Sequence, residues 1–299
     1  MVANQFRIEI FGINVPDEIE YKTDIAELVV RAASEQIGGL KENDIVVITS
    51  KIISKAEGKL IKIADIKPSK KAYRLGKIYK TDPRVMELYL RQGPIRAVIP
   101  IKKIAQKLNF FEKCSIDKKK MQQVIDENAY MFMIDVGGQL MSWGGLDFSN
   151  APPGFCTVPP EDPDKSAKEI RRRINELTGI DVAVVITDTE WKLDKFGSVD
   201  VAIGSSGILP ITKKFASGDR YGKPKFGGVD DITNLVSAAA NLVFGQTAEN
   251  VPIAIIRGLK YEKSEQGVKE FLFDLKIIRY GLISSILETI KFRILEKIL

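Results

Sequence analysis

Apolar and polar positions repeat with two periods along this chain, and each change of period marks an element. Phe6 to Phe11 alternates and predicts a strand, broken by Gly12-Ile13-Asn14-Val15-Pro16. Thr23-Asp24 precedes a run that sets Leu28, Val29, Ala32 and Ala33 on one face, which predicts a capped helix. Asp44 to Thr49 is nearly all apolar and reads as a buried strand. It runs straight into Ser50-Lys51-Ile52-Ile53-Ser54-Lys55-Ala56-Glu57-Gly58, which ends in a turn. The lysine-rich stretch 59–82 shows no clear period. Asp82-Pro83-Arg84 opens another helix, with proline at its favoured first turn.

Ile95 to Ile101 and Met131 to Val136 predict strands, separated by a basic, partly helical stretch over 102–126 that reads as an insertion. Gly144 to Pro163 is rich in Gly, Pro, Ser and Asn. It is long for a structureless connection, so it reads as a functional loop. Asp164 to Leu177 predicts a capped helix, and Val182 to Thr187 a buried strand with Asp188 immediately after its end. Val199 to Gly204 is short and apolar, Asp230 to Phe244 is a helix, and Val251 to Ile256 is a last strand. Leu272, Leu275, Ile278, Leu282, Ile286 and Leu287 recur at helical spacing among Lys276, Arg279, Lys291 and Arg293, which predicts an amphipathic helical tail. The organisation expected is a catalytic region over 1–263 and a tail over 264–299.

Strands and helices mix without clean strand-helix-strand alternation, so the class is α+β rather than a doubly wound sheet. The chain lacks a Gly-rich dinucleotide fingerprint and a Gly-x-x-x-x-Gly-Lys-Ser/Thr loop, so a nucleotide would be held by other means.

Composition narrows the chemistry sharply. The 299 residues contain no histidine, which removes Ser-His-Asp triads, Cys-His pairs and His-ligated zinc. Two cysteines, Cys114 and Cys156, are too few for a disulfide framework or an all-Cys zinc site, and both read as inert packing residues. Catalysis is left to carboxylates, lysines, hydroxyls, amides and bound metal. The net charge of +6 is spread along the chain without a nucleic-acid motif, and it suits small anionic substrates. No segment offers about 18 uncharged apolar residues, so no membrane span is expected and a cytoplasmic protein is.

Several residues could carry chemistry. Asp147, in Gly144-Gly145-Leu146-Asp147-Phe148-Ser149-Asn150, could take a hard cation with Ser149 and Asn150 adding oxygens. The plain alternative is a turn whose side chains satisfy its own backbone. Asp188, at the end of a buried strand and beside Thr189, is well placed for magnesium or manganese, or else caps a helix. Lys51 and Lys55 share a face if their segment is helical, and with Ser50 and Ser54 would suit a triphosphate, or else form a solvated surface. Gly245-Gln246 could be a C-terminal helix cap.

Taken in order, these pieces resemble the coenzyme F-420 γ-glutamyl ligase family. The matching stretches are Ser50 to Gly58, Asp82-Pro83-Arg84, Gly145 to Asn150, Glu161 to Ala167, Ile186 to Thr189, Val199 to Gly204 and Ala238 to Gln246. Each is weak alone; their order over roughly residues 12 to 258 is specific. The resemblance implies a two-lobed fold, an intertwined homodimer, GTP as co-substrate, and two divalent ions, magnesium or manganese, with potassium sometimes helping. It implies that Asp147 and Asp188 bind the first metal region, and Thr189 and Gln246 the second. It further implies that Gly12, Ile13, Asn14, Val15, Ser50, Lys51, Lys55, Asn150 and the stretch around Gly245 contact the nucleotide. Asp147, Asp188 and Lys55 would be the catalytic set. The implied reaction joins L-glutamate to an anionic acceptor carboxylate through an acyl phosphate.

The chain departs from the family at Trp143, where an asparagine is usual before the first aspartate. It departs again at Trp191-Lys192 and Asp194-Lys195, where arginines are usual. Replacing bidentate guanidinium groups by point-charge lysines is not conservative. These changes leave room for a folate-type acceptor, or for a homologue that keeps nucleotide and metal but has lost turnover. The tail raises a further alternative, a membrane-surface or partner-binding role.

Overall fold

The computed structural model describes residues 7–107, 110–191 and 197–298. Along the chain the first lobe begins with β1 (Glu9–Ile13), α1 (Ile25–Ile37), β2 (Ile45–Thr49) and α2 (Ser50–Ala56). The second lobe follows as β3 (Leu60–Lys62), α3 (Lys70–Tyr79), α4 (Pro83–Gln92), β4 (Ile95–Ile99), α5 (Ile101–Lys107), α6 (Phe110–Cys114), α7 (Lys118–Glu127), β5 (Met131–Val136), β6 (Gln139–Ser142) and β7 (Phe155–Thr157). The chain then returns as α8 (Pro163–Thr178), β8 (Ala183–Trp191), β9 (Ser198–Ser206), α9 (Ile232–Phe244) and β10 (Ile253–Arg257), and ends in α10 (Leu275–Ile298).

The first lobe is one five-stranded sheet in the order β1-β10-β2-β8-β9. Only β2 and β8 run parallel; the other neighbours are antiparallel. Helices cover both faces, which is why β2 reads as a continuous apolar run instead of alternating. Val46, Ile48, Val184 and Ile186 pack with α1 and α8, while Ile45, Val47, Ala183 and Val185 pack with α9. Asp24 caps α1 by accepting the Glu27 N–H, as the sequence predicts. The second lobe has its own core, in which Met86, Leu88, Phe132 and Ile134 are fully buried and Tyr79 meets Phe132 edge-on at 5.5 Å. It is a single excursion from the first lobe, closed where the Val158 N–H donates to the Lys59 carbonyl at 3.2 Å. The mixed α/β class expected from the sequence is the class observed.

Several boundaries differ. β1 continues through Gly12 and Ile13, because these pair with Ala254 and Ile253, and the chain breaks only afterwards. Asp188 lies inside β8 rather than beyond it, because β9 keeps pairing with β8 as far as Trp191. The cap of α8 is Asp162, which accepts the Lys165 N–H. Asp164 instead accepts the N–H groups of Ser205 at 2.7 Å and Val268 at 2.8 Å, tying β9 to the start of the tail. β6 was not anticipated; it follows a Gly137-Gly138 turn in which both residues have positive φ, the hairpin geometry that two glycines favour. Cys156 is buried, and burial, with the nearby Asp147 charge, pushes its thiol up to about 11, in keeping with an inert packing role. Cys114 is exposed instead, on the short α6. On α10 the exposed side chains of Ile277, Ile283, Ile286 and Phe292 spread around the helix rather than along one stripe. Among the described residues no helix is long and apolar enough to cross a membrane.

Candidate functional site

The parallel pairing of β2 with β8 aligns Thr49 with Thr187, so both strands reach the same edge of the sheet together. From there β2 turns into α2, delivering Ser50, Lys51 and Lys55, while β8 carries on with Asp188 and Thr189. The register shifts between Ile186 and Thr187, a bulge of the kind that re-aims side chains at the rim of a sheet. The loop over 142–150 from the second lobe forms one wall and the segment over 244–252 another. They meet where the Asn150 side-chain amide donates to the Thr247 carbonyl at 2.8 Å. The open cleft between them measures about 590 Å³.

Two glycines permit these walls. Gly145 has φ +70°, and a Cβ there would strike Pro159 and Met141. Gly245, just after α9, has φ +71°, and a Cβ there would run into the Glu249 side chain. Asn150 takes the left-handed conformation, φ +51°, which asparagine tolerates.

The cleft is lined by opposed charges. The Lys51 ammonium lies 2.8 Å from the Asp147 carboxylate and donates to the Ser149 hydroxyl at 2.7 Å. Asp147 also accepts the Ser149 N–H at 2.7 Å, so the turn expected as the plain alternative is present together with the ion pair. The Lys55 ammonium, on a buried side chain, meets Glu18 at 2.6 Å. Asp188 accepts the Thr189 N–H at 2.9 Å. Its side chain keeps a partial opening to the cleft but is otherwise surrounded by protein. Burial pushes its carboxyl up to about 7, and the neighbouring carboxylates of Glu190, Asp147 and Asp200 push the same way. No ion pair neutralises Asp188 among the described residues. Nor, among them, does any group of three carboxylate or thiol side chains close into a ready metal cage. What converges is a set of carboxylates, Asp147 and Asp188 among them, together with hydroxyl and amide oxygens.

The raised Asp188 carboxyl has a consequence for stability. The folded state holds this proton more tightly than the unfolded chain does, so its contribution is present at low pH and is lost as pH rises from about 4 through about 7. In chelator-treated protein, the denaturation midpoint should fall between about pH 4 and about pH 7, and Asp188→Asn should remove most of that fall. Equal pH slopes in the two proteins would show that the group is not buried in this way.

Of the residues singled out in the sequence, Val15, Ser50, Lys51, Lys55, Asp147, Asn150, Asp188, Thr189, Gly245 and Gln246 all line this one cleft. Gly12, Ile13 and Asn14 do not. Ile13 is buried in the core, Gly12 sits against Val243 and Val251, and the Asn14 backbone N–H is held by Gln36 at 2.9 Å. Trp143 lines the cleft, its indole N–H donating to the Tyr130 carbonyl at 3.3 Å. Lys192, Asp194 and Lys195 lie outside the described residues. Trp191, noted in the sequence as a departure from the family, also lines the cleft, and the residues not anticipated are Glu18, Asp200, Thr247 and Glu249. Asp200 carried a readable signal, a lone carboxylate within the apolar alternation of Val199, Val201 and Ala202.

The family model described as F420-0:Gamma-glutamyl ligase matches residues 12–258. A protein of Methanopyrus kandleri named Coenzyme F420:L-glutamate ligase is 38% identical over 239 residues, covering 80% of this chain and 82% of its own length. Proteins of the same name from Methanothermobacter thermautotrophicus and Methanosarcina mazei are 32% and 30% identical. They cover 89% and 78% of this chain, and 95% and 81% of their own lengths. With ordered motifs, a shared cleft and a match over most of its length, the chain belongs to the F420-0:gamma-glutamyl ligase family and is by class a ligase.

Proposed function

We propose that this protein uses GTP and divalent ions to join L-glutamate to an acceptor carboxylate, on coenzyme F420-0 or a related anion. The observation that carries the reading is that two lysines and two carboxylates, far apart in sequence, line one cleft at the ends of a parallel strand pair. Asp147, Asp188, the Thr189 hydroxyl and the Gln246 amide oxygen form a hard, all-oxygen donor set, which fits magnesium or manganese and not zinc. The uncompensated Asp188 carboxylate is the observation favouring a cation there. When bound, such ions neutralise charge on phosphoryl oxygens.

The chain's own residues do the rest. Lys51 and Lys55 hold phosphate oxygens and disperse the negative charge that builds during transfer. Thr247 and Asn150 fix the two walls against each other, which holds the reacting groups in line. An acceptor carboxylate oxygen attacks the γ-phosphorus and GDP departs, leaving an acyl phosphate. The glutamate amine then attacks the acyl carbon, the amide forms, and inorganic phosphate leaves. No histidine is needed. Trp143 and Trp191 both line the cleft, and their flat faces suit a planar aromatic acceptor. The homodimer implied by the family is part of this proposal, and light scattering reads it.

The test is to incubate purified protein with GTP, magnesium and L-glutamate, offering F420-0 and a pteroyl acceptor side by side. Mass spectrometry should find an acceptor heavier by one glutamyl residue, with GDP formed in step. Extension of neither acceptor, without acceptor-dependent GDP release, refutes the reading. Extension of the pteroyl compound alone reassigns the acceptor and keeps the chemistry.

The Glu18 contact adds a smaller prediction. Phosphate must displace Glu18 from Lys55, and Glu18 is largely exposed, so this competitor is weakly held. Glu18→Gln should tighten GTP binding by about two- to fivefold, as expected for removing a pair worth up to about 1 kcal/mol. Unchanged affinity by calorimetry would mean that phosphate does not use Lys55.

A further inference from the structure

Asp200 is almost fully buried on β9, directly across the ladder from Thr189 on β8. Its neighbours Val199, Val201 and Ala202 are apolar, and none of the described residues forms an ion pair with it. A buried carboxylate without a counter-ion is costly, and the strand pairing itself does not require one. What it does is accept. The Thr189 hydroxyl donates to its Oδ1 at 2.8 Å, the Asn241 amide donates to the same oxygen at 2.9 Å, and the Gln246 side chain lies beside the carboxylate; burial pushes the carboxyl up, and these three groups oppose that by favouring its ionised form.

The direction of these bonds fixes what the cleft presents. Toward the ionised form of this carboxylate, which only accepts, Gln246 turns its NH2 group and leaves its carbonyl oxygen free. Likewise, once the Thr189 proton points at Asp200, the hydroxyl lone pairs are left for the cleft. Asn241 spends its amide on the same oxygen and holds the carboxylate against α9.

We propose that Asp200 is a positioning residue, a carboxylate that turns Thr189 and Gln246 so that both offer oxygen to a divalent cation. It touches neither cation nor substrate and acts through the two residues it orients. The inference rests on the metal-dependent reading above, and it adds the element that selects the amide orientation. Without Asp200 the Gln246 amide is free to flip and present NH2, which repels a cation.

The test is Mn2+ binding to the holo-complex, read as loss of the free Mn2+ electron-paramagnetic signal at saturating GTP and without acceptor. Asp200→Asn is isosteric and should weaken Mn2+ binding by about 10- to 100-fold, the usual cost of losing a partner that orients a ligand. GTP affinity measured with chelator present should change less than about twofold, which a general loss of structure would not allow. Because Asp200 acts through Thr189, adding Thr189→Ala to Asp200→Asn should cost much less than the two single losses together. If Asp200→Asn does not fold, Asp200→Glu keeps an acceptor one methylene displaced and should show a smaller loss of Mn2+ affinity.

Wild-type Mn2+ affinity in a folded Asp200 variant, with Asp188→Asn defective, overturns the positioning role and leaves the ligase reading standing. Full additivity with Thr189→Ala also overturns it. Wild-type protein that binds no Mn2+ beside GTP overturns both.

Discussion

Asp188→Asn should lower kcat for acceptor-dependent GDP release by about 100- to 1000-fold, while leaving the protein folded. The magnitude follows from losing a charged oxygen that would hold a cation against the reacting phosphoryl group, where single electrostatic contacts are worth about 100- to 1000-fold. The preserved fold follows from the local geometry. Asparagine has the same shape, and its Oδ1 can still accept the Thr189 N–H that Asp188 accepts at 2.9 Å. The variant also loses a carboxylate that burial and three acidic neighbours hold up near 7. In the absence of metal it should therefore be no less stable than the wild type, and above pH 7 more so. Activity and stability move in opposite directions, a pattern that a structural role for Asp188 would not produce. A fully active Asp188→Asn enzyme would remove the residue from the proposed machinery.

How much of this site could be read in the sequence depended on whether a residue's role is local. The end of β2 was legible because a run of buried apolar residues stops at Thr49 and lysines follow at once. Asp147 and Asp188 were legible for the same reason, as acids beside glycines or beside a buried strand. Asp188 was misplaced only relative to the strand end, because the partner that lengthens β8 is a separate segment. Glu18 could not be read, since its ion pair spans 37 residues and nothing near it announces a cleft.

The second lobe was the least legible. In α3 the buried residues are Ala72 and Gly76, too small by themselves to mark an apolar face. Gly76 is packed so closely that a Cβ would come within 2.7 Å of the Thr81 carbonyl oxygen. Leu75 and Tyr79 pack on the same core as Ala72, so α3 has an apolar face, but it is a short one set among lysines, and 59–82 read as lysine-rich chain that was hard to place. Its one readable cue was Ser69, whose hydroxyl accepts the Ala72 N–H as a cap.

Lys55→Ala should weaken GTP binding by about 10- to 100-fold and leave the affinity for L-glutamate nearly unchanged. A hydrogen bond to a charged group contributes about 1.5–3 kcal/mol, which sets that range. Lys55 reaches the cleft from the last turn of α2, and its stem is buried against the first lobe, so the ammonium has little freedom before phosphate arrives. Its present partner, Glu18, is 75% exposed, so deleting the lysine strands that carboxylate in water rather than inside the protein. The folding cost should therefore be that of a trimmed side chain, not of an orphaned buried charge. Lys51 provides the contrast. It is already bound to Asp147 and Ser149, so Lys51→Ala also frees a carboxylate on the metal side. Lys51→Ala should accordingly disturb both GTP and Mn2+ binding, whereas Lys55→Ala should disturb GTP alone. Calorimetric titration of each variant with GTP, with and without Mn2+, separates the two, and equal losses in both titrations would assign the lysines one shared role instead of two.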